Sequence, residues 1–585
     1  MKIPLLTTLS ALSSFFVMAQ SPTFQWAKMS PYPVKESTSD ANGNYYTTGY
    51  FSNTIDCDPG PGTTYLTSHS GSNDICISKF DGSGSFIWAK NMGGSKDDYG
   101  LSSVVDANGN VFTVGYFIGS ADFDPNAGTF ILNSSSSTDT TIFISKLNAT
   151  GNLVWAKEMG GIGKDVGYSI ALDGSGNVFT AGYFSQTADF DPSAGVFNLT
   201  AAGSTDIFVA KLDASGNFLW AKKVGSIGDD VATNISTDGS GNVYAFGTFQ
   251  DTTDFNPGAG INNLNACSYC YNTFILKLDA TGNFLWAKQV DFIMNSQNFD
   301  GGNPFTVDAT GNVFITGIFA YLQDFDLGAG TYNMHDNNGS VFITKLDAFG
   351  NFSWAEQFGC SSTYTFTGGS GYQENMAAHS IALDATGNIY TTGYFLVTSD
   401  FDPGTGTYML SPLPGADTNF DSRVFISKLD ASGNFKWAKA FGGTGFEDGH
   451  FITIDVYNNV FTSGVFCSGA DFDPGPGIYH VSSPSGCGFS FIHKMSQITS
   501  GIEEIDVANF ITIYPNPSQN NITIKMENNT LCTISIIDVL GKEIKHLQTT
   551  EILSEINVSE LTDGVYFVIM NQNGHSFVQK IIISK

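Results

Sequence analysis

One pattern returns along this chain, and it constrains the fold more than any other feature. Phe218-Leu-Trp-Ala-Lys222, preceded by Lys211-Leu-Asp-Ala-Ser-Gly-Asn217, is one copy of it. All seven tryptophans occupy the same place in such a copy: Trp26, Trp88, Trp155, Trp220, Trp286, Trp354 and Trp437. Ala and Lys follow each of them, except that Glu356 takes the lysine position after Trp354. Successive tryptophans stand 62 to 68 residues apart, and 83 apart at the last step. Self-similarity at a fixed period outranks local propensity as a guide to architecture.

One period holds four candidate strands, 168–172, 177–184, 206–212 and 218–222, with a loop at 189–195. The turns between them carry Asp, Ser, Gly and Asn, which tolerate positive φ and bond their own backbone. Phe218 and Trp220 are two residues apart and so share one face of a strand. Four antiparallel strands per period is the pattern of a β-propeller blade, whereas a solenoid coil would need only about 20–30 residues per turn.

Each repeated element counts to seven. The D-x-x-G-N turn begins at Asp40, Asp106, Asp173, Asp238, Asp308, Asp384 and, degraded, Asp455. The D-F-D-type loop begins at Asp56, Asp122, Asp189, Asp254, Asp324, Asp400 and Asp471, with Cys57 and Asn256 as departures. The chain starts with a fourth strand, 24–28, that lacks its third, and the repeats end on a third strand, 489–495, that lacks its fourth. Pairing these halves removes two exposed sheet edges. The sequence therefore predicts an all-β protein: a seven-bladed β-propeller over 20–495, closed by pairing of its N- and C-terminal strands.

Composition narrows what such a scaffold can bind. A net charge of −30 and a single arginine, Arg423, exclude nucleic acid and anionic lipid as partners and leave little for bidentate phosphate recognition. Residues 1–19 read as a signal peptide, with Lys2 before an apolar run and a small-residue site before Gln20. No later stretch has the length of a transmembrane segment. Cys57 with Cys76, and Cys467 with Cys487, flank equivalent loops and read as local disulfides suited to an oxidising compartment. Cys267-Ser-Tyr-Cys270 lacks the second ligand pair of a zinc site and reads as structural. Residues 496–509 form a linker, and 510–585 hold short strands suited to a small Ig-like β-sandwich.

Two family resemblances follow from these motifs. The run D-x-x-G-N-[VI]-[YF]-x-x-G-Y-F, then D-F-D-P-G-x-G, then [IV]-F-I-x-K-L-D-x-x-G-N-F-x-W-A-K resembles the bacterial SBBP-type β-propeller repeat, which implies an extracellular propeller and no defined reaction. The C-terminal stretch resembles the sorting domain of type IX secretion cargo in Bacteroidetes. The marks are Tyr514, Pro515, Asn516 and Pro517, the Asp538/Gly541 turn, Leu561 with Gly564 and Tyr566, and the ending from Lys580. This implies type IX machinery as a partner through 510–585, passage across the outer membrane, removal of the domain near the linker, and an extracellular or cell-surface destination.

Candidate chemistry is sparse. The D-x-D loops place hard oxygen ligands at i and i+2, so Asp122, Asp124, Asp189, Asp191, Asp400, Asp402, Asp471 and Asp473 are candidate calcium ligands on an acidic ring. The competing reading is that each Asp caps its turn while Pro fixes the bend. No cofactor is otherwise indicated. The tryptophans read as packing between blades. No catalytic motif is present. The expected role is a non-catalytic binding or adhesion scaffold for a glycan or a surface protein. The alternative is a hydrolase or lyase working in the propeller funnel, for which the irregular residues Glu374, His379, Glu447, Asp448 and His450 are the ones to inspect. Loop insertions between 354 and 379 and over 411–421 are further places for specificity.

Overall fold

The computed structural model describes residues 22–266, 271–291, 302–360, 375–412, 421–467, 469–481, 483, 486–497, 511–526, 532–538, 542–572 and 575–585. The signal peptide, the linker beyond Gln497, Cys267 with Cys270, Glu374, Gly541 and most of the two insertions lie outside these residues. The chain divides into two compact units, Ala19–Ile498 and a smaller one containing Thr499–Lys585. Both are built from strands.

In the larger unit the strands associate in antiparallel groups of four. The group Val166–Leu172, Val178–Phe184, Asp206–Leu212 and Phe218–Val224 is the pattern, paired in chain order. Among the described residues there are seven such groups. The first strand of each lies against the first strand of the next, and Asp448–Ile454 of the last lies against Val34–Ser39 of the first. The last group takes its fourth strand from the start of the chain. Thr23–Ser30 pairs antiparallel with Cys487–Ser496, from Thr23 opposite Ser496 to Ser30 opposite Ser490.

Local chemistry explains why the turns fall where they do. Asp173 Oδ1 accepts the backbone N–H groups of Ser175 and Asn177, both at 2.9 Å, while Asn177 Nδ2 donates to Oδ2 at 2.7 Å. That is an Asx turn closed by a second amide, and it recurs at Asp40, Asp238 and Asp384.

The Trp-Ala-Lys pattern joins each group to the next. Trp220 Nε1 and Lys211 Nζ both donate to the Ala280 carbonyl, each at 3.2 Å, in the following group's last turn. Lys211 also sits 4.5 Å from the centre of the Phe179 ring and 3.3 Å from Asp173. Gly282 in that following turn has φ +82°, and a Cβ there would lie 3.1 Å from Trp220. Glycine is thus required twice over, for the turn and for the ring above it. The tryptophans pack between groups, as their recurrence at one strand position suggests.

Two sequence expectations need correction. The loop expected at 189–195 starts at Phe190, and it is the tip of a short hairpin of Thr187–Asp189 with Asn198–Thr200. That hairpin docks on the preceding group, with Asp189 opposite Gly160 and Ala188 opposite Gly161. Gly160 and Gly161 end the strand Leu153–Gly161, and a Cβ on Gly161 would stand 2.0 Å from the Thr187 carbonyl oxygen. Finally, Cys467 and Cys487 are joined by a disulfide, but Cys57 and Cys76 are buried thiols. Burial pushes the Cys76 thiol up, and its contact with Cys57 adds to this, so the thiolate needed for exchange is disfavoured.

In the smaller unit, one sheet contains Ile511–Tyr514, Asn521–Met526 and Leu553–Asn557. The other contains Glu543–Thr549, Cys532–Ile537, Gly564–Gln572 and His575–Ile583. Ile522, Ile524 and Ile556 of the first share one core with Ile534, Val568 and Ile581 of the second. The strand Leu553–Asn557 was not evident from sequence.

Candidate functional site

A backbone irregularity builds the site. In six of the first strands the pairing register skips one residue: Lys35, Leu101, Tyr168, Thr233, His379 and His450. Each is a β-bulge, and each extra residue is half-exposed between two buried neighbours. Its partner strand supplies a glycine. At Gly182 a Cβ would stand 1.9 Å from the Val166 carbonyl, so the Gly of the T-x-G-Y-F stretch is what lets the bulge form. Asn303 stands at the equivalent distance before Asp308 in the remaining group.

These positions converge. Lys35, Leu101, Tyr168, Thr233 and Asn303 line one cavity of about 240 Å³. On its floor, Asn234 Nδ2 donates to Asn303 Oδ1, and Asn303 Nδ2 donates to Glu36 Oε2 at 3.3 Å. Ser37 N donates to Glu36 Oε1 at 2.9 Å. Burial pushes the Glu36 carboxyl up to about 8, so it is protonated at neutral pH. Tyrosines form one wall. Tyr99 stacks on Tyr116 with ring centres 5.0 Å apart and meets the Tyr50 ring edge-on at 4.5 Å.

The remaining two bulge residues meet at a carboxylate. His379 Nε2 lies 3.1 Å and His450 Nε2 3.4 Å from Asp448 Oδ2. Burial alone would raise the Asp448 carboxyl, but the two imidazoles and their hydrogen bonds bring it well below the usual carboxylate range. Of the irregular residues singled out in the sequence, the structure thus brings His379, Asp448 and His450 together. Glu447 turns away to accept the Gly443 N–H at 3.0 Å.

The D-x-D carboxylates are occupied within their own hairpins. Asp122 Oδ1 accepts from Asp124 N at 3.0 Å and Phe130 N at 2.8 Å. Asp189, Asp400 and Asp471 likewise accept the N–H groups of Asp191 and Phe197, of Asp402 and Tyr408, and of Asp473 and Tyr479. Asp124, Asp191, Asp402 and Asp473 each accept the N–H two residues on. Among the described residues no group of three His, Cys, Asp or Glu is arranged to hold a metal ion.

Two distant halves of the C-terminal motif touch. Asn516 Nδ2 donates to the Lys580 carbonyl at 2.9 Å, and Ile582 N donates to Asn516 Oδ1 at 2.8 Å. The segment from Tyr514 to Pro517 is thereby tied to the final strand. Tyr566 OH donates to the Thr562 carbonyl at 3.1 Å, two residues from Gly564.

Comparison with known families agrees with both halves of the chain. Residues 154–183 match the β-propeller repeat, and residues 512–584 match the secretion system C-terminal sorting domain. This is an all-β protein with β-propeller repeats and a type IX sorting domain, exported to the cell surface or the extracellular space. An uncharacterised WD repeat-containing protein of Acanthamoeba polyphaga mimivirus is 25% identical over 365 residues, 54% of this chain and 25% of that one. Regulatory protein FlaEY of Caulobacter vibrioides is 26% identical over 213 residues, 35% of this chain and 21% of its own. The matches therefore span a quarter or less of these relatives' lengths.

Among solved structures, PorZ, a surface component of the type-IX secretion system of Porphyromonas gingivalis, aligns over 96% of this chain and 100% of its own, at 11% identity and a TM-score of 0.26. The extracellular domain of the putative hybrid two component system BT3049 from B. thetaiotaomicron aligns over 95% and 98%, at 11% identity and a TM-score of 0.17. At these scores neither bears on function. Among the described residues no helix is long and apolar enough to cross a membrane.

Proposed function

We propose that the chain is a non-catalytic binding or adhesion scaffold, displayed after type IX export, whose ligand is a glycan or another surface protein. In this reading the seven groups are the blades of one closed propeller, with Trp26 and Lys494 completing the ring. They come from opposite ends of the repeat region, yet both donate to the Gly82 carbonyl of the first group, at 3.4 and 2.6 Å. The smaller unit is an Ig-like sandwich that engages the secretion machinery.

The observation that carries the reading is the bulge position. The scaffold around it repeats, while the residue it turns outward differs in most copies. That is how a symmetric frame presents an asymmetric surface. A hydrolase or lyase is the second reading, favoured by the His379–Asp448–His450 cluster, since an imidazole held by a buried carboxylate can move protons.

The test is to incubate the full chain with a panel of polysaccharides and chromogenic glycosides and to follow retention and product release together. Retention without product is the expected result. Product formation that disappears in both His379→Ala and Asp448→Asn would replace the scaffold reading with the enzymatic one.

A further inference from the structure

The cavity at the bulge positions has a chemistry of its own. One wall is aromatic and half-exposed, made by Tyr50, Tyr99, Tyr116 and Tyr168. The floor is amide and hydroxyl: Asn234, Asn303 and Ser102, linked through Glu36. Thr233 Oγ1 extends the floor by donating to Asn234 Oδ1 at 2.9 Å.

Charge argues against ionic ligands. The chain carries −30 overall. Its one guanidinium, Arg423, donates to the Ser411 and Ala440 carbonyls, both at 3.2 Å. An anion would meet the repulsive field of the chain and, in the cavity, one lysine, Lys35, with no guanidinium to hold it bidentately. A cation would meet the ammonium of Lys35, which lines the cavity and lies 6.0 Å from the Tyr50 ring. What remains is a neutral ligand with apolar C–H faces and many hydroxyls. Aromatic rings take the former and amides the latter.

Size sets how much of such a ligand enters. At about 240 Å³ the cavity is smaller than the ~300–1,000 Å³ of sites that bury a drug-sized molecule. It accommodates one ring-sized unit, the end of a chain. Deepening the binding reading above, and resting on it, we infer that this cavity holds the terminal sugar ring of a neutral glycan, with Tyr99, Tyr116 and Tyr168 as stacking faces and Asn234 and Asn303 as polar contacts.

The experiment uses the full chain on an array of mannose-, glucose-, galactose- and N-acetylglucosamine-terminated oligosaccharides, beside uronate-terminated counterparts. Titration calorimetry on the strongest binder follows, for the parent, Tyr168→Ala, Tyr168→Phe, Asn303→Ala and His379→Ala. Melting of each variant accompanies the titrations, so that loss of fold is not read as loss of contact. At least one neutral oligosaccharide is expected to bind. Tyr168→Ala and Asn303→Ala should each weaken it tenfold or more, while Tyr168→Phe stays within about threefold. If binding survives Tyr168→Ala and Asn303→Ala but falls with His379→Ala, the cavity assignment is overturned and the scaffold reading stands. If only uronate-terminated chains bind, or no oligosaccharide binds, the neutral-glycan assignment is overturned. A surface protein retained by the same chain would then leave the scaffold reading intact.

Discussion

The junction between the third and fourth groups and the junction between the sixth and seventh do the same job with different parts. In the former, Trp220 and Lys211 both donate to the Ala280 carbonyl of an intact turn. In the latter no such turn exists, because the seventh group's fourth strand comes from the start of the chain. Gln497 stands in its place. Its side chain is buried, Lys428 Nζ donates to its Oε1 at 2.7 Å, and its Nε2 donates to Tyr390 OH and the Asn458 carbonyl. The substitution is incomplete, since Trp437 Nε1 has no partner among the described residues. One side chain can replace a turn for the lysine but not for the tryptophan as well.

The sixth–seventh junction also differs from the first–second and second–third junctions in the acid that caps the preceding strand, and pH probes this most strongly. Asp165 caps Gly161 and Asp98 caps Gly94, whereas Glu447 caps Gly443. Burial pushes Asp98, Asp165 and Glu447 up to about 7, and Glu36 to about 8. Each is protonated in the fold at pH values where the unfolded chain has already ionised it. Their contribution to stability is therefore full below the ordinary carboxyl values of 3.8 to 4.5 and is lost as pH rises from there through the folded values of about 7 to 8. Calorimetry should show Tm falling by several degrees between about pH 5 and pH 8, with Asp98→Asn and Glu447→Gln each flattening the slope. A level Tm across that interval would mean that these carboxyls are ionised in the folded chain. Below about 6.5 the slope is reduced but not reversed, because His493, driven down to about 3 by burial, stays neutral in the fold while unfolded histidine takes up a proton, which offsets only one of the four carboxyls.

The second effect concerns the plug. Gln497→Ala leaves Lys428 Nζ and Tyr390 OH short of a partner in a buried place, a cost of about 1–3 kcal/mol. Denaturant unfolding of full-length parent and variant reads it directly, and an unchanged midpoint would remove Gln497 from the account of closure. The smallest effect separates the tryptophans. Trp220→Phe loses a hydrogen bond as well as ring area, whereas Trp437→Phe loses area but removes an unsatisfied N–H. The former should cost about 1 kcal/mol more than the latter. Equal losses would mean that the Ala280 carbonyl contributes nothing.

What was legible in the sequence was whatever the repeat wrote several times over. Strand positions, turn aspartates, the recurring tryptophan and the complementary ends all follow from local rules of period and turn chemistry. The bulges were not legible as such, because an extra residue in a strand has no composition of its own. The only trace was that the residue five before each turn aspartate differs in most copies. Short hairpins such as Thr187–Asp189 with Asn198–Thr200 fall below the length at which alternation can be seen. The role of Gln497 is invisible for another reason: it occurs once, at a place defined only by a missing turn. Cys57 and Cys76 show that spacing alone does not decide a disulfide.

The pairing of Thr23–Ser30 with Cys487–Ser496 also has a consequence in time. Thr23 and Ser496 meet across 473 residues of chain. The loop-closure entropy for that contact cannot be recovered until nearly all intervening strands have formed. The first strand synthesised is therefore among the last to be placed, and waits as an open edge while the other groups assemble. A chain cut short between Cys467 and Cys487 keeps that edge, and the edge of Val460–Cys467, available to a neighbour. Assembly of the larger unit is thus a check on the length of its own repeat region.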